Sequence, residues 1–107
     1  MHPTSNSVTP NSRRVPGSTR AALVRAIRMR DRGCSERATR REEERAFARV
    51  RADRARGDLA LEHVVRWVRD AWDEVYGPAS PHAGRELAYH ALVSRCLASC
   101  VRADARA

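Results

Sequence analysis

The chain has 107 residues, enough for one domain with a modest core and too few for two. All 21 basic residues are arginine, and against 13 acids they leave a net charge of +8, which disfavours a basic partner. No run approaches the ~20 apolar residues of a membrane span, and three cysteines cannot all pair within one chain.

The odd cysteine count argues for a reduced, intracellular setting, cytoplasmic or nucleoid/nuclear. A GC-rich coding sequence by itself favours arginine over lysine, yet each guanidinium keeps a planar fork suited to carboxylates and phosphates. The charge is uneven. Residues 13–56 hold 15 Arg and 6 acids, a surplus of +9, whereas residues 57–107 hold 6 Arg and 7 acids, a balance of −1. The N-terminal half is the part that attracts anions.

Residues 1–17, "MHPTSNSVTPNSRRVPG", are rich in Ser, Thr, Asn and Pro and lack apolar content, so they are expected to form a disordered tail before a single helical domain at 18–107. A role for that tail would rest on Thr9-Pro10 as a phosphorylation site, on a leader function, or on Arg13 and Arg14 as a basic arm. No apolar stretch follows Arg13-Arg14, so a twin-arginine or secretory signal is not expected.

The first helix is expected over 19–32, with Ser18 as N-cap and Gly33 just past its end. Leu23, Val24 and Ile27 form its apolar edge, and Arg25, Arg28 and Arg32 share the opposite face. The second is expected over 36–56, capped by Ser35 and ended by Gly57. Thr39 with Glu42 also reads as an internal capping box. Its sequence, "ERATRREEERAFARVRADRAR", offers only Phe47 and Val50 as large apolar residues. It reads as long, polar and stabilised by propensity and side-chain pairs. The third helix follows Asp58, the expected N-cap, and runs to Tyr76. Its stripe is Leu61, Val64, Val65, Val68, Trp72 and Val75, widened by Trp67. The fourth is expected from Ser80-Pro81 to about residue 102. One apolar face holds Leu87, Ala91, Leu92, Leu97 and Val101, and another beside it holds Tyr89, Val93, Cys96 and Cys100. A helix apolar over so wide an arc is either central or shared with a second chain. The fold class is therefore all-α, a small bundle of three to four helices. The third and fourth helices form its hairpin core, and the first packs on them.

Chemistry-bearing patterns are weak. Cys96 and Cys100 share a helix face that His82 also reaches by spacing, with His63 and Cys34 further afield. CxxxC inside an amphipathic helix suits core cysteine better than zinc, so no metal and no cofactor is expected. Nucleotide-binding loops, nucleophile elbows and zinc-protease motifs are all missing. Glu42, Glu43 and Glu44 read as exposed carboxylates among arginines, not as tuned acids. Ser80, His82 and Arg85 in "GPASPHAGRE" read as a capped turn more readily than as a phosphate contact. An enzyme is not expected.

The organised feature is the arginine row. Arg37, Arg41, Arg45 and Arg49 are four apart and share a helix face, and Arg37–Arg56 carries 8 Arg against 4 acids. Like charges at that spacing repel unless a partner relieves them. The expected function is a small regulatory or adaptor protein whose basic half contacts an acidic protein surface through this row and through Arg25, Arg28 and Arg32. The alternative is a nucleic-acid-binding regulator using the same two helices. Against that alternative, the Arg-rich helix lacks the apolar back of a recognition helix, carries three glutamates near its start and has no aromatic residues among its arginines. Trp67 and Trp72 lie at different angles on the third helix. One hairpin is not expected to bury both, so they are the expected protein interface, and the chain is expected to form a homo-oligomer through its C-terminal half.

Overall fold

A computed structural model describes residues 15–78 and 84–106. The expected all-α bundle is present. The described residues form helices α1 (Gly17–Asp31), α2 (Glu36–Gly57), α3 (Leu61–Tyr76) and α4 (Glu86–Arg106).

Each boundary has a local cause. Gly33 adopts φ +78° after α1. Its N–H donates to the Arg30 carbonyl at 3.1 Å, and the Cys34 N–H donates to that of Met29 at 3.0 Å. This is the Schellman arrangement that satisfies the last carbonyls of a helix. At the other end, α1 starts after Pro16, not Ser18, and no side chain caps it. Val15 packs against the core, so the folded part begins ahead of the expected boundary at residue 18, and the rest of the expected tail lies outside the described residues. Ser35 caps α2 as expected, its Oγ accepting the Ala38 N–H at 3.2 Å.

The end of α2 differs from expectation. Asp58 takes the left-handed turn, with φ 52°, and its N–H and that of Leu59 close a second Schellman pattern on Ala55 and Arg54. Gly57 serves another purpose: a Cβ there would meet Leu59 Cγ at 3.1 Å. With Asp58 held in that turn, α3 starts without a side-chain cap behind Ala60, so Asp58 is not its N-cap. The expected start of α4 at Ser80-Pro81 lies outside the described residues. Gly84, with φ +73°, keeps the helix from beginning before Glu86.

The helices pack as a ring. α1 lies against α2 and α3, and α4 lies against the same two, so α1 and α4 are diagonal. This corrects the expectation of an α3–α4 hairpin core with only α1 packed on it, since α2 closes the ring. Ala46, Phe47 and Val50 of α2 are all buried, with Val50 wholly enclosed. They join Leu23, Val24 and Ile27 from α1, Val64, Val68 and Ala71 from α3, and Leu92, Cys96 and Cys100 from α4 in one core. A helix with few apolar residues still anchors the bundle, because the few it has fall on one line at spacings of three and four.

Both tryptophans are in that core as well, Trp67 at 1% exposure and Trp72 at 4%. Trp72 packs against Tyr76 at 4.7 Å and edge-on to Tyr89 at 5.3 Å between ring centroids. A hairpin of α3 and α4 is expected to leave one of them uncovered; with α1 and α2 completing the core, one chain buries both. The buried stripe of α3 is rotated to Val64, Trp67, Val68, Ala71 and Trp72, leaving Leu61, Val65 and Val75 half-buried at its edge. Neither indole is available as the interface assigned to it. Among the described residues, no helix is long and apolar enough to cross a membrane.

Candidate functional site

The arginines of α1 and α2 are the outward product of this packing. Phe47 and Val50 turn one side of α2 inward, which leaves Arg37, Arg41, Arg45 and Arg49 in solvent. On α1 the burial of Leu23, Val24 and Ile27 does the same for Arg25, Arg28 and Arg32, all exposed. The short connection at residues 32–35 folds α1 back along α2. A groove of about 420 Å³ between them is lined by Ala22 and Arg25 from α1 and by Glu42, Arg45, Ala48 and Arg49 from α2. Three guanidiniums and one carboxylate therefore share a shallow channel, and the two arginine sets meet there.

Few of these charges are spent inside the chain. Arg45 pairs with Glu42 at 3.2 Å, in an i,i+3 contact whose arginine is 67% exposed, a geometry worth little in water. Arg25, Arg28, Arg32, Arg37, Arg41 and Arg49 form no ion pair among the described residues. The other arginines of α2 are engaged. Arg40 reaches Glu36 at 3.4 Å and Arg56 reaches Asp53 at 2.9 Å. Arg51 donates to the Ser99 hydroxyl. Arg54 donates through Nε to the Leu59 carbonyl at 2.9 Å and through Nη1 to Asp104 at 2.7 Å. Arg54, which breaks the apolar strip of α2 in sequence, thus ties that helix to α4. The same bond holds the Asp104 carboxyl below its ordinary range.

Beneath the arginine surface lies a carboxylate that the sequence reading placed in solvent. Glu43 is 2% exposed. Arg95 of α4 grips it with two bonds, Nε to Oε1 at 2.9 Å and Nη2 to Oε2 at 2.8 Å. Arg30 of α1 adds a third from Nη2 to Oε2 at 3.2 Å. Arg30 also bonds Glu36 at 2.9 Å, which raises the guanidinium pKa and lowers that of the Glu36 carboxyl. A bidentate arginine and a second guanidinium supply the hydrogen bonds and countercharge that offset the burial of a carboxylate. The cluster joins three helices, so its role is to fix the bundle that presents the arginines. Its sequence signal is positional: Thr39, Glu43, Ala46, Phe47 and Val50 lie on one helical line, and a charge on an apolar line reads as a buried ion pair.

Cys96 and Cys100 are both buried in the core side by side, and Cys34 is exposed. The Cys96 thiol against Cys100, with Arg54 and Arg51 nearby, lowers the Cys100 pKa, while the same contact and burial raise that of Cys96. Among the described residues, no group of three or more His, Cys, Asp and Glu side chains is arranged to hold a metal ion. Ser80 and His82 lie outside the described residues. Arg85 stacks 4.4 Å above the Tyr76 ring, so within the turn it covers an aromatic face. No family model, no curated protein and no solved structure matches the chain.

Proposed function

We propose that the protein is a small regulatory or adaptor protein that binds an acidic surface of a protein partner through the outer side of the α1–α2 hairpin. The observation that carries this reading is the set of six arginines, Arg25, Arg28, Arg32, Arg37, Arg41 and Arg49, that face solvent with no carboxylate paired to them among the described residues. Their mutual repulsion costs a few tenths of a kcal/mol per i,i+4 pair, a cost that an acidic partner removes. The planar guanidinium fork matches carboxylates in pairs. Binding of this kind requires no cofactor and no chemistry from the chain.

Nucleic acid is the second reading, favoured by the same unpaired arginines. Two features tell against it. Glu42 sits within the groove and Glu44 is exposed on the same helix, where a phosphate backbone would be repelled, and no aromatic side chain lines the groove. Capture of partners by the full chain from its native cell extract, with and without nuclease, separates the two. Under the proposal, the captured protein survives nuclease, and replacing Arg41, Arg45 and Arg49 with Gln abolishes its capture. Loss of all captured material on nuclease treatment supports nucleic acid instead.

A further inference from the structure

We infer that the outer face of α4 pairs antiparallel with the same face of a second copy of this chain. The arginine surface takes no part in this pairing, so the two readings stand or fall separately. The starting point is where charge is missing. A third of the chain is charged, yet from Leu87 to Val101 the one formal charge is Arg95, and it is turned inward onto Glu43. The side opposite the core carries Leu87, Ala91, Ser94, Ala98, Val101 and Ala105, all exposed. Leu87 is 87% exposed and Val101 50%, the two large hydrophobic side chains left in solvent among the described residues.

These six residues follow spacings of four, three, four, three and four, the seam of a coiled coil sustained over the whole helix. The seam is also complementary to itself when reversed. Set antiparallel about Cys96, it places Leu87 on the second copy's Ala105, Ala91 on its Val101 and Ser94 on its Ala98. Every large residue then faces an alanine and no layer holds two large side chains, while the two central Ser94–Ala98 layers let the helices approach closely. A parallel pairing would instead stack Leu87 on Leu87 and Ala91 on Ala91, alternating crowded and void layers. One flank agrees with the antiparallel register. The half-buried Leu97 meets its counterpart across the axis. His90 comes toward the second copy's Asp104, setting a ring nitrogen against a carboxylate. On the other flank, Arg95 lies across from its counterpart, each held back on its own Glu43, and the exposed Arg102 lies across from Ala88. The seam from Leu87 to Ala105 runs most of the length of the 21-residue helix, about 27 Å at 1.5 Å per residue. Because α1 is diagonal to α4, the α1 arginines stay clear of the pairing face.

Sedimentation equilibrium of the full chain between about 1 and 100 µM tests the inference. The mass is expected to rise toward twice the 12.0 kDa of one chain. Changing both Ala91 and Ala98 to Glu should hold it at the single-chain mass with unchanged circular dichroism, since both sites are exposed and Glu is a good helix former. The register has its own signature. Ala91→Val alone sets valine against valine and should weaken the dimer about tenfold, whereas Ala91→Val with Val101→Ala exchanges the two members of one layer and should restore it. A single-chain mass at every concentration overturns the inference. So do a dimer indifferent to the glutamates, loss of helix in the glutamate variant, or equal association of the single and exchanged valine variants.

Discussion

Glu43 shows at the scale of one residue how a charge becomes structural. Its two oxygens accept three hydrogen bonds from Arg30 and Arg95 at the junction of α1, α2 and α4. Removing one member of a fully buried ion pair costs about 3–5 kcal/mol. Here the Arg95 and Arg30 side chains remain 30% and 37% exposed, so water recovers part of that. Glu43→Gln is expected to lower stability by about 2–3 kcal/mol in urea unfolding, whereas the same change at the exposed Glu44 should stay within about 0.5 kcal/mol. Equal effects at the two sites would show that Glu43 is not clamped. A sequence-adjacent view missed this residue because Glu42, Glu43 and Glu44 read as one charged run. Only the three-and-four spacing from Phe47 and Val50 separates the middle one from its neighbours.

The carboxylates of Glu36 and Asp104 are exposed and held below their ordinary range by hydrogen bonds from Arg30 and Arg54. A lowered folded-state value means that stability is gained above the unfolded carboxylate pKa and lost as pH falls through the folded one. Acid should therefore loosen the α2–α4 tether, and Asp104→Asn should flatten that part of the pH dependence of the melting temperature. An unchanged acid limb in Asp104→Asn would contradict the tether. The thiols give a separate reading of the core. A bulky thiol reagent should modify Cys34 in the native chain and reach Cys96 and Cys100 only after denaturation; rapid modification of all three would contradict their burial.

At the scale of elements, sequence was most informative where a single residue has one structural use. Ser35 before α2 and Gly33 after α1 behave as their chemistry dictates. Asp58 had two uses open to it, N-cap or left-handed turn, and tertiary closure of α2 onto Leu59 selected the turn. Two changes follow from that choice. Asp58→Gly should raise stability by about 0.5–1 kcal/mol, since glycine occupies positive φ without a Cβ penalty. Ala60→Ser should add about 1 kcal/mol, because Ala60 holds an extended N-cap conformation with no side-chain acceptor. Urea midpoints measure both, and a loss of stability in Asp58→Gly would show that the aspartate side chain itself holds the turn. The faces of α4 were legible as apolar, but not which one turns inward. That is decided by Tyr89, Cys96 and Cys100 meeting α2 and α3, which no local pattern records.

For the whole molecule, a core spread over all four helices explains why both tryptophans disappear inside one small chain. Read from sequence, α2 has almost nothing to bury, which overestimates the apolar surface left for partners. Two exposed regions differ in character, the arginines of α1 and α2 and the α4 seam from Leu87 to Ala105, whose own six positions carry no charge. The arginine row lies wholly outside that core, so the fold is expected to stand without it. Parallel titrations of the full chain and its Arg41, Arg45, Arg49 to Gln variant with polyglutamate and with duplex DNA, at two salt concentrations, test it most directly when paired with thermal melts. Unchanged helix content is expected, with a melting temperature equal or slightly higher as repulsion is relieved, and at least tenfold weaker polyglutamate binding with a shallower salt dependence. Unfolding of the variant, or polyglutamate binding that the three substitutions leave intact, would contradict it.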